Sequence, residues 1–251
     1  MELPAQVYLA LSLLKGNGYE SYIVGGCVRD SILGKTPNDY DITTNALPHQ
    51  VKEVFENYKI IETGLKHGTV TVLIEGMPLE ITTYRIDGVY KDHRRPENVT
   101  FTNSLQSDLS RRDFTINAMA YSPENGLADF FGGKKDLRNS IIACVGDAEH
   151  RFDEDGLRIL RALRFASVMD FNIEEETSKA IFLKKELLKN IAYERISAEF
   201  SKLICGPGAE HIFREYVEVL GVFLPELLPM KGFAQNNEHH IYDVQIGRAH
   251  V

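Results

Sequence analysis

The feature that most constrains the fold is a strand-to-helix corner near the amino terminus. The apolar run Tyr22-Ile23-Val24 is typical of a buried strand, and Gly25 and Gly26 separate it from the helix-compatible segment Val28 to Leu33. Because glycine has no side chain, a ligand can approach its backbone closely, and the N–H groups that open a helix attract anions. Arg29 adds a cation on the next turn. The corner indicates a phosphate cradle, or an ordinary connection whose glycines only make the turn.

Two carboxylates follow this corner closely. Asp39 and Asp41 are two residues apart in a short alternating segment, Asp39 to Thr43, which predicts a strand with both carboxylates on one face. Carboxylate oxygens bind Mg²⁺, and phosphoryl transfer uses metal to neutralise phosphate charge. Glu80, in the strand-like run Leu79 to Tyr84, is a candidate third ligand. A solvated strand face is the simpler interpretation of an isolated pair, but the preceding glycine corner favours a metal site.

A second motif, Arg111-Arg-Asp-Phe-Thr-Ile-Asn-Ala118, lies in the middle of the chain. Asp113 precedes an apparent helix from Phe114 to Tyr121, with Asn117 one helical turn on. On the residues alone, Asp113 is therefore predicted to cap that helix and to stabilise it by about 1 kcal/mol.

A third motif, Glu154 to Ala166, predicts an amphipathic helix. At about 100° per residue, three arginines share one arc and three apolar residues lie opposite. The arginines are Arg158, Arg161 and Arg164, and the apolar residues are Ile159, Leu163 and Ala166. This pattern predicts a basic face directed away from the core, with Asp155 beside Arg158. A carboxylate and a guanidinium offer acceptors and donors to the edge of a base. A solvated face with salt bridges within the helix is the alternative.

The three motifs together resemble the class II tRNA nucleotidyltransferases, the CCA-adding enzymes, whose layout bacterial poly(A) polymerases share. The first motif reads Gly25-Gly-x-Val-Arg-Asp30 with Leu33-Gly34 and Asp39-x-Asp41, and the resemblance runs from about residue 20 to about residue 205. It implies an α/β (α+β) nucleotidyltransferase head of the polymerase-β-like type, followed by an all-helical neck. The implied reaction is template-free addition of CCA, or of its terminal A, to the 3′ end of tRNA from CTP and ATP. The implied cofactor is Mg²⁺, in a two-metal phosphoryl transfer.

The resemblance also implies roles for individual residues. The triphosphate would be held by Gly25, Gly26 and Arg29, and the catalytic metals by Asp39 and Asp41, with Glu80 as a further metal ligand. The ribose and phosphates would be contacted by Arg112, Asp113 and Asn117. The base would be selected by Asp155 and Arg158, with Arg161 and Arg164 on the same nucleotide-binding face.

Two other functions stay open. Poly(A) polymerases usually carry an Arg-rich stretch where this chain has Glu62 to Val70, so polyadenylation ranks second. The polar segment Arg85 to Pro96 predicts a mobile loop. Family members that add only the two cytidines lack most of this loop, so its presence favours addition of the complete CCA or of the terminal A. An inactive nucleotide- or RNA-binding fragment is the alternative of another class. The intact Asp39 and Asp41 pair speaks against it, because without metal the two carboxylates would repel a phosphate.

The composition of the chain limits the kinds of partner that it can bind. The 251 residues carry a net charge of −8, so any RNA contact must be a local patch, either around Lys91 to Arg95 or on the arginine face of the third motif. Cys27, Cys144 and Cys205 have no metal-ligand spacing and indicate reduced thiols in the cytoplasm. Met1 to Lys15 predicts an amphipathic helix rather than a signal peptide, no segment is long enough to span a membrane, and no protein partner is evident.

The expected organisation is a catalytic head over 1–145, a helical neck over 146–205 and the start of a helical body over 206–245. The run Asn236 to Val244 resembles the opening of a metal-binding HD phosphohydrolase domain, truncated here. His239, His240 and Asp243 cannot complete such a site alone. Residues 246–251 match the translation of a common sequencing adapter, and our hypothesis is that this tail is not native and that the natural protein continues past Val244.

Overall fold

A computed structural model of the protein describes residues 1–62, 64–88 and 98–231. These residues divide into two compact units. The first unit holds the described residues up to 139 together with 144–146, and the second holds 140–143 and 147–231. The basic patch expected around Lys91 to Arg95, the HD-like segment and the adapter-like tail lie outside the described residues.

The first unit is a mixed α/β structure. Its helices are α1 (Ala5–Gly16), α2 (Gly26–Ile32), α3 (Pro48–Val54), α4 (Leu105–Ser110) and α5 (Gly133–Asn139), with 3-10 turns at Leu65–His67 and Thr115–Asn117. Its strands are β1 (Ser21–Val24), β2 (Asp41–Thr44), β3 (Lys59–Ile61), β4 (Thr69–Ile74), β5 (Met77–Thr83), β6 (Arg85–Asp87), β7 (Val99–Phe101), β8 (Met119–Ser122) and β9 (Gly126–Asp129).

Seven of these strands form one sheet within the described residues, in the order β3-β4-β5-β2-β1-β8-β9. Strands β2 and β5 are parallel, and the other neighbours are antiparallel. Along β4, Val70, Val72 and Ile74 are buried and alternate with half-buried residues, as expected for a strand with one face on the core. The register pairs Val24 with Asp41 and Asp41 with Glu80, so the glycine corner and the acidic residues lie at neighbouring strand positions.

Two local predictions for this unit are wrong. Asp39 precedes β2 rather than lying in it, because β1 ends at Val24 opposite Asp41, and the register with β5, continued backwards, would set Asp39 against the proline Pro78, which has no N–H. The helix expected from Phe114 to Tyr121 is a 3-10 turn followed by β8. Its apolar residues are buried on more than one side, and β8 pairs with both β1 and β9.

The second unit is helical apart from a short parallel strand pair. Its helices are α6 (Ala148–Glu154), α7 (Leu157–Met169), α8 (Glu175–Lys184), α9 (Tyr193–Ile204) and α10 (Ala209–Leu220), with 3-10 turns at Lys185–Asn190 and Pro225–Met230. Its strands are β10 (Ile141–Ile142) and β11 (Asn172–Ile173). The third motif is not one helix, because Asp155 has extended backbone angles and separates α6 from α7. Ile159, Leu163 and Ala166 are buried as predicted.

Candidate active site

The corner between β1 and α2 brings backbone and guanidinium into close approach. Gly25 has φ +84° and ψ −131°, a conformation that side chains rarely permit. A Cβ atom on Gly25 would lie 3.1 Å from Nη1 of Arg112. The predicted strand-to-helix corner is confirmed, and the missing side chain leaves room for the Arg112 guanidinium beside the chain.

A hydrogen-bonded chain joins this corner to the second motif. Nη1 of Arg29 donates to Oδ1 of Asn117 over 2.8 Å, and Nδ2 of Asn117 donates to Oδ1 of Asp113 over 3.2 Å. The same Asp113 oxygen accepts the N–H of Phe114 at 2.8 Å. The prediction that Asp113 caps a helix is wrong: its carboxylate accepts the N–H of the next residue, and the 3-10 turn that follows has Phe114 as its N-cap residue and no side-chain cap. Side chains 88 residues apart in sequence meet at one place.

Arg112 is held on one side and carries an unsatisfied donor. Its Nη2 lies 3.8 Å from Oδ2 of Asp108. Its Nε is buried and has no hydrogen-bond partner within the described ranges. Burial lowers the pKa of Arg112, while the Asp108 carboxylate opposes that change and the charge of Arg111 adds to it. A buried donor without a partner costs free energy, so an anion placed beside Arg112 would be stabilised.

The acidic residues of β2 and β5 are electrostatically coupled. Desolvation raises the pKa of Asp41 from 3.8 to about 6; Arg112 lowers it, while Glu80 and Asp39 raise it further. Neighbouring atoms desolvate part of Asp41, yet the residue is still exposed at the surface, so a cation can reach it. Carboxylates that repel one another beside a phosphate site are suited to a hard divalent cation, which removes the repulsion. The carboxylate oxygens of Asp39 and Asp41 are therefore suitable ligands for a divalent metal.

A complete cluster of ligands is not preformed. Within the described part of the chain, no group of three or more His, Cys, Asp or Glu side chains is arranged to hold a metal ion. The role of Glu80 as a third ligand accordingly stays a prediction. Its position opposite Asp41 in the parallel register is the observation that keeps it a candidate.

One site residue, Asp108, is not recognised by sequence reasoning. Its side chain is fully buried, and its carboxylate accepts hydrogen bonds from the Thr43 hydroxyl, the Arg85 N–H and the Arg111 guanidinium. An acidic residue three and four positions before two arginines that directly follow a helix is a usable signal, since side chains at these spacings are neighbours in helical geometry. The sequence does not show that the carboxylate is buried.

In the second unit, the predicted base-selection residues each have a partner. The Asp155 carboxylate accepts the N–H of Leu157 at 3.1 Å and Nη2 of Arg195, on α9, at 3.0 Å. Arg158 donates to Oε2 of Glu154 at 2.5 Å. Arg158 is only 9% exposed, so the prediction of a basic face directed wholly away from the core is wrong for this residue. The reason is that a second carboxylate, Glu154, compensates the buried charge.

The other two arginines of α7 pack toward α9. Nε of Arg164 lies 2.7 Å from Oε2 of Glu199, and Nη1 of Arg161 lies 3.6 Å from Oε1 of the same residue. The Arg164 guanidinium also lies 3.6 Å from the centre of the Phe165 ring. The arginine arc is therefore part of a helix-to-helix contact rather than a freely solvated surface.

The structure thus gathers the site residues into two groups. Six nucleotide-binding candidates, with the carboxylates of Asp39, Asp41 and Glu80, lie in the first unit; these six are Gly25, Gly26, Arg29, Arg112, Asp113 and Asn117. The four candidates Asp155, Arg158, Arg161 and Arg164 lie in the second unit.

A mixed sheet with a glycine corner, an adjacent acidic strand position and a guanidinium beside them defines a class, the polymerase-β-like nucleotidyltransferase head. A family profile described as "Poly A polymerase head domain" matches residues 21–143, and one described as "Probable RNA and SrmB- binding site of polymerase A" matches residues 170–230. The chain belongs to the family of poly(A) polymerases and tRNA nucleotidyltransferases, as the sequence resemblance predicted.

Individual relatives agree with this assignment. The CCA-adding enzyme of Lactobacillus helveticus is 50% identical over 208 residues, which cover 83% of this chain and 52% of that protein. The crystal structure of the Bacillus stearothermophilus CCA-adding enzyme in complex with CTP is similar with a TM-score of 0.78 and 39% identity, over 94% of this chain and 54% of that one. The Thermotoga maritima CCA-adding enzyme complexed with tRNA has a TM-score of 0.74 and 27% identity, over 89% and 54%. The chain spans about half the length of these relatives.

The described helices and cysteines bear on two simpler expectations, a membrane span and the state of the thiols. Among the helices that the structure describes, none is long and apolar enough to cross a membrane. None of the three described cysteines is in a disulfide; Cys27 and Cys144 are buried, and Cys205 is exposed.

Proposed function

We propose that this chain carries the catalytic head and base-selecting helices of a CCA-adding tRNA nucleotidyltransferase. The observation that carries the proposal is the Arg112 guanidinium, which has a buried unsatisfied donor, lies beside the side-chain-free backbone of Gly25 and interacts electrostatically with Asp41. A cation with an unsatisfied hydrogen-bond donor next to mutually repelling carboxylates suits a metal-bound triphosphate. The names of the relatives supply the reaction.

In this proposal, Arg29, Arg112 and the N–H groups of the glycine corner bind the triphosphate. Asp39 and Asp41 hold the divalent metal, which we take to be Mg²⁺ because hard oxygen ligands and phosphates favour it. When bound, such a metal neutralises phosphate charge and activates the attacking oxygen. The 3′-hydroxyl oxygen of tRNA forms a bond to the α-phosphorus of CTP or ATP, and the bond to pyrophosphate breaks. Arg29 and Arg112 stabilise the negative charge that develops on the leaving pyrophosphate.

Base choice is assigned to Asp155 and Arg158. Cytosine and adenine both present an exocyclic amino group, whereas uracil and guanine present a carbonyl oxygen at the corresponding position. An ionised carboxylate only accepts hydrogen bonds, so Asp155 would favour the two amino bases. The Arg195 guanidinium supports this assignment, because it occupies one side of the carboxylate and limits its rotation.

The partner is the tRNA 3′ end, as the tRNA complex of the Thermotoga maritima relative suggests. A cytoplasmic location belongs to the same proposal, since tRNA and nucleoside triphosphates are available there and none of the three described cysteines is in a disulfide. Complete CCA addition is proposed over addition of the terminal A alone, because the relatives are named for the complete reaction.

The test is Asp39→Ala in a transfer assay with a tRNA that lacks its CCA end. We expect transfer from CTP and ATP to be abolished while binding of CTP alone is largely kept, since Arg29 and Arg112 remain. Asp129→Asn is the control, because the Asp129 carboxylate accepts two backbone N–H bonds at the end of β9 and is not one of the proposed metal ligands. Equal turnover by Asp39→Ala would refute the role of the carboxylate. Addition of a long run of adenosines by the wild-type chain would favour the second candidate, polyadenylation.

A further inference from the structure

The most deeply buried charge at this site belongs to Asp108, which the proposed function leaves without a role. Its Oδ1 accepts the Arg85 N–H at 3.2 Å and two Arg111 donors, at 3.0 Å and 2.9 Å. Its Oδ2 accepts the Thr43 hydroxyl at 3.0 Å and lies 3.8 Å from Nη2 of Arg112. A buried carboxylate is costly unless it is paired and hydrogen-bonded, and Asp108 satisfies both conditions.

The two oxygens of Asp108 have different surroundings. Oδ1 is occupied by the backbone of β6 and by Arg111, which fixes the orientation of the carboxylate. Oδ2 is thereby directed toward the Thr43 hydroxyl and the Arg112 guanidinium. The carboxylate is thus fixed before any ligand binds, so it can act as a rigid support for Arg112.

Arg112 lies between this support and the glycine corner. One terminal nitrogen, Nη2, faces Asp108, while the other, Nη1, faces Gly25. Arg111 and Arg112 are adjacent cations, and without a carboxylate between α4 and β2 they would repel each other in a poorly hydrated place. Asp108 offsets both charges.

We propose that Asp108 is a positioning residue that orients Arg112 toward the triphosphate. It acts through Arg112 and touches neither the substrate nor the reacting atoms. The inference rests on the proposed function, because it needs Arg112 to contact phosphate.

The first experiment titrates CTP and cytidine into the wild-type chain and into Asp108→Asn. Asparagine has nearly the same shape and keeps one oxygen acceptor, so the substitution removes mainly the charge. We expect CTP to bind about tenfold more weakly, since the buried charge partner of a phosphate-binding arginine is lost. Cytidine binding should be unchanged, because it has no phosphates. Equal loss for both ligands would indicate a merely structural role and overturn the proposal.

A double-mutant cycle makes the test specific. If Asp108 acts through Arg112, then adding Asp108→Asn to Arg112→Gln should cause no further loss of CTP affinity. Independent, additive losses would overturn the proposal. Asp129→Asn is the matched control within the same unit, and it should leave the ratio of CTP to cytidine affinity unchanged.

A milder variant covers the case in which Asp108→Asn does not fold. Thr43→Val keeps the shape of the side chain and removes the hydroxyl that holds Oδ2, so we expect CTP to bind about threefold more weakly with cytidine unaffected. An unchanged ratio in a folded Thr43→Val chain would contradict the inference. Failure of the wild-type chain to bind CTP would overturn the proposed function together with it. CTP affinity equal to that of the wild type in Asp108→Asn would overturn only the inference.

Discussion

The guanidinium of Arg29, on the first turns of α2, donates to the side-chain oxygen of Asn117 at 2.8 Å. Asn117 in turn donates to Asp113, and all three residues are at least half-buried. A single amide thus joins the glycine corner to the second sequence motif. Both halves of the proposed phosphate site are oriented by the same side chain.

Asn117→Ala should therefore weaken both folding and ligand binding. The substitution removes a hydrogen-bond partner from Arg29 and from Asp113, which should lower the free energy of unfolding by about 1–3 kcal/mol. It should also weaken CTP binding, because Arg29 loses one of the contacts that orient it, although its ion pair with Asp30 remains. Urea unfolding and CTP titration measure the two effects. Asn125→Ala, which removes an amide bonded to the Tyr22 hydroxyl, is the control and should leave CTP affinity intact. A stability loss without weaker CTP binding would show that Asn117 does not orient Arg29.

Gly25→Ala should abolish triphosphate binding. A Cβ atom would meet the Arg112 guanidinium and would impose a backbone strain of about 1–3 kcal/mol at φ +84°. Gly34→Ala is the comparison, since Gly34 has φ +70° and no neighbouring atom within 4 Å of an added Cβ. It should cost about 1 kcal/mol of stability without altering CTP affinity. Thermal unfolding with and without CTP separates the two variants. Similar CTP binding by both would mean that the corner is only a turn.

Asp41 should make the metal-free chain less stable as the pH rises. Its pKa is raised to about 6 in the folded chain, so the folded state holds a proton there that the unfolded chain has already released. The stabilisation is complete at low pH and is lost as the pH rises from about 4 through about 6.

Asp41→Asn imitates the protonated carboxyl at every pH. In the presence of a metal chelator, the variant should therefore be more stable than the wild type at pH 8 and should match it below pH 4. Urea unfolding at a series of pH values measures this difference. The variant should also be inactive in nucleotide transfer. A stability difference that does not change with pH would show that Asp41 is not the titrating group.

Arg195→Gln should reduce base discrimination. The Arg195 guanidinium reaches both oxygens of Asp155, at 3.0 Å and 3.5 Å, and its loss would free the carboxylate to rotate. Binding of the four ribonucleoside triphosphates should then show a several-fold smaller preference for CTP and ATP over UTP and GTP. Arg214→Gln removes an exposed arginine that pairs with Glu210 and should leave the preference unchanged. If Arg195→Gln keeps the preference of the wild type, then the orientation of Asp155 by Arg195 does not determine base choice.

Much of the head was predictable because its strands have clear local patterns. The run Thr69 to Ile74 is rich in β-branched residues and forms β4, and the predicted strand-like run Leu79 to Tyr84 forms β5 at nearly the same bounds. The helix prediction for Phe114 to Tyr121 was wrong because the apolar spacing of this segment fits a helix as well as a strand. The pairing of β8 with β1 and β9 decided that the end of the segment forms a strand. The pairing with β1 joins residues about a hundred positions apart, such as Ile23 and Tyr121, and no local window contains both.

The contacts of the candidate site residues could not be predicted from the sequence. Asp155 and Arg158 are close in sequence, yet Asp155 pairs with Arg195 and Arg158 pairs with Glu154. The choice of partner depends on how α7 packs against α9. Asp108 was missed for a related reason. Its importance comes from the burial of its carboxylate, and burial is not visible in the sequence.

The sequence by itself determined the strand-to-helix corner, the separation of a mixed α/β part from a helical part, and the family, because glycine conformation, residue periodicity and motif spacing are local properties. Only the tertiary structure decided that Gly25 faces Arg112, that Asn117 joins Arg29 to Asp113, and that Asp41 carries a raised pKa. These relationships depend on distances and desolvation among residues that are remote in sequence, and folding alone brings such residues together.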